Sequence, residues 1–278
     1  MSDLRPSSFD RFPMVVKNIL IINGLMYLAT MVLQNTFNID LSNYLGLFFF
    51  TSEYFKPHQI ISHMFMHGSL MHIFSNMFAL WMFGSILENA WGPKRFLIFY
   101  LICGLGGAIT HMAFTAYQIH LVQGEINLFF ESVTIDNFKM LLEGHRNLLY
   151  DSDYINQANT LLNTWSQNPS DSTMILQAKI LAQKLTSMEA NIPVVGASGA
   201  VFGVLLAFGM LFPNTYLYLM FPPIPIKAKY FVIFYGAFEL YAGVSGTQEG
   251  VAHFAHLGGM LFGFILIKFW NKTRKDFF

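Results

Sequence analysis

Charge is what this sequence has least of. Asp, Glu, Lys and Arg together make up 12% of its residues, where soluble domains carry about a quarter. A soluble chain of this size could bury a large core, but it would still need a charged surface, and the charges here are crowded into a few short stretches. The formal net charge is zero, so no nucleic-acid partner is expected. Cysteine is nearly absent as well. The single Cys103 lies in an apolar run, which excludes an intramolecular disulfide and reads as a small buried side chain. Among the histidines, His63 and His67 have the four-residue spacing of helical zinc ligands, and His72, His253 and His256 could join them. No glutamate completes an H-E-x-x-H arrangement, however, so neither metal nor cofactor is expected. No inverted internal repeat of the transporter kind is visible either.

What the chain has in abundance is apolar sequence, at 54% of residues. A spanning helix needs roughly 20 mostly apolar residues. Six segments are read that way: Met14–Leu33, Ser69–Ala90, Phe96–Tyr117, Gly196–Phe212, Tyr230–Val244 and Val251–Trp270. The expected fold class is therefore all-α, a polytopic six-helix membrane bundle. Arg5 and Arg11 lie before the first segment and Lys17 at its start; the segment is too long for a signal-peptide core and lacks a clean small-residue cleavage site, so it is expected to remain as an anchor. With six spans, these three residues, Lys94 and Arg95, Lys227 and Lys229, and the group Lys268, Lys272, Arg274 and Lys275 all fall on one side. The positive-inside rule makes that side, and both termini, cytoplasmic. No organelle transit peptide precedes the first helix, which points to a bacterial plasma membrane.

The exception is the polar stretch 118–193, between a first block of spans (1–117) and a last block (194–278). It holds eight acids (Glu125, Glu131, Asp136, Glu143, Asp151, Asp153, Asp171, Glu189) and four bases (Lys139, Arg146, Lys179, Lys184). Helical patterning over Asn137–Leu149 and Asp171–Met188, the second capped after Pro169, predicts a small external helical insertion, with partial disorder as the alternative.

Polar groups at membrane depth are costly and face a bundle interior or a wet cavity. Three stretches carry them. In the second span, His72 and Asn76 are four apart and share a helix face, so both can aim donors at one point, as an oxyanion requires. In the fourth, Ser198 stands at the mouth of a helix in Gly196-Ala-Ser198-Gly199. There its own N–H lacks an internal partner, so one residue can be nucleophile and oxyanion donor. Alone that string is weak, since Gly and Ser also serve helix packing. In the sixth, His256, Gly259 and Gly263 line one face, matching a stripe of Gly196, Gly199 and Gly203 beside Ser198. Close approach of the two stripes is what a direct bond of about 2.6–3.2 Å between Ser198 and a His256 base demands. No carboxylate is tied to His256 by spacing. Glu239 is the only acid in the last two spans, and a Ser/His dyad rather than a triad is predicted. Phe202, one turn after Ser198, either stacks on the imidazole or simply packs. Hydrogen bonds of His63 and His67 within the loop before the second span are expected to hold that loop. His111 and His253 read as satisfied core residues. Ala242–Gly250, with three glycines, is a candidate lid.

The ordered set H-x-x-x-H-x-x-x-x-H-x-x-x-N, G-x-S-G-x-x-x-G and A-H-x-G-G on the second, fourth and sixth spans resembles the rhomboid family of intramembrane serine proteases. The resemblance covers about Met14–Trp270 without the insertion. It implies Ser198 as nucleophile, His256 as base and His72 with Asn76 as oxyanion side chains, supported by Gly196, Gly199, Phe202, His67 and Gly259. Glu88, Gly92 and Arg95 match a structural stretch closing the second span. It further implies transmembrane protein substrates met within the lipid bilayer. A catalytically inactive relative that binds transmembrane clients is the alternative. The long 118–193 segment and the lack of a Trp-Arg pair in the first external loop depart from the pattern, but touch none of these positions.

Overall fold

The computed structural model describes residues 10–218, 224–245 and 251–273. Among them the chain is helical almost throughout. In order it forms α1 (Met14–Phe37), the single turns α2 (Ser42–Leu45) and α3 (Gln59–Ser62), α4 (Leu70–Ala79) and α5 (Ser85–Trp91). There follow α6 (Pro93–Glu131), α7 (Ile135–Gly144), α8 (Ser152–Gln167), α9 (Ser172–Ala190) and α10 (Ser198–Leu211). A short hairpin of β1 (Tyr216–Tyr218) and antiparallel β2 (Pro225–Lys227) then leads to α11 (Ala228–Ser245) and α12 (His253–Thr273). These elements divide into two compact units, one of residues 1–47, 56–111 and 193–278, the other of 48–55 and 112–192.

The first unit is built on apolar helices. Met14–Phe37, Leu70–Trp91, Pro93–Glu131 and His253–Asn271 are each long and apolar enough to cross a membrane. Two of the six expected spans fall short of that standard. α10 has 14 residues, or about 21 Å at 1.5 Å per residue, less than a hydrocarbon core of about 30 Å. α11 reaches 18 residues, but Lys229 and Glu239 dilute its hydropathy. The Leu70–Trp91 helix joins α4 to α5 through a π turn at Leu80–Gly84, which the apolar run did not foretell. Leu80 and Phe83 of that turn enter the core with Val16, Phe96, Phe99, Tyr100, Val204 and Phe208.

Local chemistry sets the ends of these helices. Pro13 precedes α1, and its first-turn N–H groups find an ion instead of a side-chain cap. The buried Glu88 carboxylate accepts from Val15 N–H at 2.9 Å and Val16 N–H at 2.8 Å. A carboxylate is well suited there because those donors have no helical partner and sit at the positive end of the dipole. At the far end, Asn38 adopts a left-handed conformation and returns its N–H to Gln34, the C-terminal device open to Asn as well as Gly. Gly92, with φ of +80°, turns the chain from α5 into α6. Arg95 then lies over the Trp270 ring, 4.2 Å from its centroid.

In the second unit, the end of α6 packs with α7, α8 and α9 around Ile126, Phe138, Leu148, Trp165, Ala182 and Leu185. The expected helices are there with shifted ends. Asp171 caps α9 by accepting from Thr173 N–H at 2.8 Å, while Thr134 caps α7 and Asp151 caps α8. Residues 48–55 are tied in by Ser52, whose hydroxyl donates to Asn191 Oδ1 at 2.6 Å. The boundary expected at residue 117 falls inside α6, which runs on unbroken to Glu131. Polarity rises at Gln118, but nothing there stops a helix, and Gly124 is tolerated within it.

Removing the Glu88 carboxylate leaves two buried N–H groups unpaired. Glu88→Ala is expected to destabilise the folded chain by about 2–4 kcal/mol, read as an earlier unfolding transition in detergent. An unchanged transition would contradict this role.

Candidate active site

Ser198 is the first residue of α10, whose N-terminus carries no side-chain cap. The turn delivering it depends on Gly196, which has φ of +130° and donates its N–H to His63 O at 2.9 Å. A side chain at Gly196 would be strained by that φ, and its Cβ would come within 2.8 Å of His72 Nε2. Gly196 therefore stands outside the helix-packing stripe in which it was expected, and makes room for an imidazole instead.

The remaining glycines do pack helices. A Cβ on Gly259 would overlap the Gly199 carbonyl oxygen, and one on Gly203 would meet Gly259 O at 3.0 Å. Gly263 in turn faces Gly203, with a Cβ contact at 3.4 Å to its Cα. α10 and α12 thus approach backbone to backbone, as small residues allow. That approach brings the two ends of the site together.

His72 and Asn76 come from the first two turns of α4. Ser69 fixes the start of that helix, its hydroxyl accepting from His72 N–H at 3.1 Å. His72, Asn76, Ser198, Phe202, Tyr235 and His256 line one cavity of about 550 Å³. Asn76 Nδ2 is buried and has no acceptor among the described residues. Phe202 lies flat on the His256 ring, with centroids 4.1 Å apart and planes 5° off parallel. Ser198 and His256 share the cavity but are not hydrogen-bonded to each other in this structure. Such bonds are commonly long or misaligned without substrate and tighten when it binds.

The carboxylate is where expectation and structure part. Glu239, on α11, accepts from His256 Nδ1–H at 2.8 Å and from His253 Nδ1–H at 2.7 Å through the same oxygen, Oε2. All three are buried. The absence of an acid beside His256 is thus corrected. Spacing along the chain could not reveal the contact, because it depends on the register of two different helices. The available signal was an ionisable residue in an apolar helix with no partner in its own turn. His253 is only half satisfied, since its Nε2 is buried without a partner among the described residues.

These three residues also offer ligand atoms within 4.8 Å of one another. Tetrahedral zinc, with bonds of about 2.0–2.2 Å to such groups, spreads its ligand atoms to about 3.3 Å apart. Both imidazole–carboxylate separations are shorter than that, so hydrogen bonding accounts for the cluster.

Other expectations fare unequally. His63 Nδ1 bonds Gln59 O at 2.8 Å. His67, expected to hold the loop by hydrogen bonds, has none at either ring nitrogen among the described residues and meets His72 edge-on, 4.9 Å between centroids. His111 Nδ1 is likewise buried and unpartnered among the described residues. Of the candidate lid, Ala242–Ser245 ends α11, while residues 246–250, with Gly246 and Gly250, lie outside the described residues, as do Arg5, Arg274 and Lys275.

The Rhomboid domain family model matches residues 54–124 and 173–271, more than half of the chain and including every residue of this cavity. The chain belongs to the rhomboid family. It is, accordingly, a multi-pass membrane protein. Among curated relatives, this rhomboid is 31% identical over 86 residues to RHOMBOID-like protein 12, mitochondrial, of Arabidopsis thaliana, covering 31% of this chain and 23% of the relative. It is 32% identical over 68 residues to Rhomboid protease GluP of Bacillus subtilis (strain 168), covering 24% of this chain and 13% of that protein. The matches thus span less than a quarter of either relative's length.

Because the Gly259 contact is with backbone, no side-chain movement relieves it. Gly259→Ala is expected to force this rhomboid's α10 and α12 apart and cost about 1–3 kcal/mol, the usual penalty of overpacking, visible as a lowered unfolding midpoint. A midpoint equal to that of the unmodified protein would show the two helices to be less closely packed than described.

Proposed function

We propose that this rhomboid is an intramembrane serine endopeptidase that cleaves transmembrane segments of other proteins, with Ser198 as nucleophile and His256 as general base. The observation that carries the reading is the cavity in which a helix-opening serine, an imidazole and an unpartnered buried Asn76 amide converge. A buried donor without an acceptor is rare in native structures. An oxyanion formed during reaction would supply the missing acceptor.

In this reading Ser198 Oγ attacks the scissile carbonyl while His256 takes the hydroxyl proton at Nε2. The first-turn N–H of Ser198, Asn76 Nδ2 and His72 hold the oxygen that becomes negative. The proton passes to the leaving amine nitrogen as the C–N bond breaks, and water, activated by the same imidazole, releases the acyl group. Phe202 keeps the ring oriented by stacking. Glycines at 196, 199 and 259 create the room that the groups need. A substrate helix would enter from the lipid, unwound near small residues, and water would reach Ser198 because α10 begins below one membrane face. The proposed topology has six spans, α10 and α11 included, with both termini cytoplasmic in a bacterial plasma membrane. The helices after the third span would form an external unit acting in recognition.

The second reading, an inactive rhomboid that binds transmembrane clients, takes its support from the missing Ser198–His256 bond. Reaction with a fluorophosphonate separates the two. The enzyme reading expects labelling of the intact protein and none of Ser198→Ala or His256→Ala, with cleavage of a transmembrane substrate in liposomes lost in both. An unlabelled wild-type protein that cleaves no substrate would favour the client-binding reading, and turnover surviving either change would end the assignment of Ser198 and His256. Asn76→Ala is expected to slow cleavage by about 10²–10³-fold, as for loss of one oxyanion donor. A full rate in that variant would remove Asn76 from the oxyanion site.

A further inference from the structure

We infer that Glu239 is a positioning residue for His256, so that the site works as a Ser–His–Glu relay with a second imidazole, His253, steadying the carboxylate. The inference rests on the proteolytic reading above and adds to it a residue on a different helix. It starts from the two hydrogen bonds that converge on one carboxylate oxygen, at 2.7 and 2.8 Å, inside the protein.

An ionised carboxylate can only accept, so each ring must donate its Nδ1–H. For a neutral His256 that choice leaves Nε2 as the lone pair. A proton acceptor for Ser198 Oγ needs that tautomer, and a histidine held at one nitrogen by an acceptor has it fixed. Phe202 alone cannot do this, because stacking orients the plane of a ring without distinguishing its two nitrogens. His253 comes from one turn earlier on α12, and its bond to the same oxygen holds the carboxylate in place between the rings. Its other nitrogen is buried and has no partner among the described residues.

The proton balance is simple. As the Oγ–C bond forms, the hydroxyl proton moves to His256 Nε2 and the ring becomes positive. Its Nδ1–H stays on nitrogen, and the Glu239 carboxylate remains ionised beside it. The Nε2 proton leaves with the amine when the C–N bond breaks. In deacylation a proton from water takes the same route and returns to Oγ. The carboxylate is thus opposite in charge to the imidazolium only while that imidazolium exists, which is the differential interaction that lowers a barrier. Other titratable groups facing the pair are Tyr235 on α11, His72 on α4 and His111 on α6. None of them supplies a negative charge at neutral pH.

The test uses the full chain in liposomes with a transmembrane substrate, measuring kcat/KM against pH for wild type, Glu239→Gln, Glu239→Asp and His253→Ala. Glu239→Gln is expected to lose about 10²–10⁴-fold, the upper figure being the cost of an amide for the acid in the serine-protease template. Its acid limb should move to lower pH, because the imidazolium has lost its anion. Glu239→Asp should keep the wild-type acid limb and recover part of the rate, and His253→Ala should lose less than either. A second measurement needs no Glu239 variant: ¹⁵N-histidine spectra of the wild-type chain should show neutral His256, assigned through its loss in His256→Gln, with its proton on Nδ1. A neutral His256 protonated at Nε2 overturns the inference, as does Glu239→Gln with an unmoved acid limb. Ser198→Ala in the same assay keeps the two claims apart. If that variant still cleaves, the proteolytic reading fails; if it is dead while Glu239→Gln matches wild type, only the role of Glu239 fails.

Discussion

The approach of α10 to α12 at Gly199 and Gly259 is the contact on which the rest of this site depends. Two helix backbones can meet there because Gly259 carries no Cβ, which would overlap the Gly199 carbonyl. In lipid, helices gain little from hydrophobicity when they associate, and close van der Waals packing takes its place. The same contact has a chemical consequence. Ser198 opens α10 one residue before Gly199, and His256 lies one turn before Gly259. Any separation of the helices at the glycines is therefore a separation of hydroxyl from imidazole.

Around that contact the protein buries two acids, each against backbone or imidazole donors. Glu88 supplies a full charge to two helix-opening N–H groups of α1, and Glu239 supplies one to two imidazoles. Both carboxylates are buried with two donors apiece, which offsets the cost of taking a charge out of water. Asn76 Nδ2 is the contrasting case: buried, on a residue that lines the cavity, and without an acceptor among the described residues. A group left in that state weakens the resting protein slightly and binds more strongly whatever oxygen arrives with negative charge. In the proposed reaction that difference, together with the uncapped first turn of α10, would favour a tetrahedral intermediate over a planar carbonyl.

Much of this was legible in the sequence wherever the information was local. The four-residue spacing of His72 and Asn76 puts them on one face of α4 whatever surrounds it, and the glycines after Ser198 and His256 announce close packing wherever their helices lie. Family resemblance carried by the same motifs agrees with the domain match over residues 54–124 and 173–271. What the sequence could not show was registration between separate helices. Glu239 and His256 are 17 residues apart, with no periodicity linking them, and only the packing of α11 on α12 joins them. Helix ends were hidden for a different reason. Apolar character falls at Gln118, but helix propensity continues through Glu125, and α6 carries on to Glu131. Gly196 was misread because a glycine three residues before another suits a helix stripe and a turn of positive φ equally well.

The central claim is that one hydroxyl, one imidazole and a set of waiting donors form a single reacting centre. An experimental structure of the full chain after reaction with a fluorophosphonate tests it most directly, since the phosphonyl group mimics the tetrahedral intermediate. The account predicts phosphorus bonded to Ser198 Oγ, its oxygen within hydrogen-bond distance of Asn76 Nδ2 and the Ser198 N–H, and His256 Nε2 turned toward Oγ. A phosphonyl group attached to another residue, or an adduct at Ser198 whose oxygen points away from Asn76 with His256 out of reach, would contradict it.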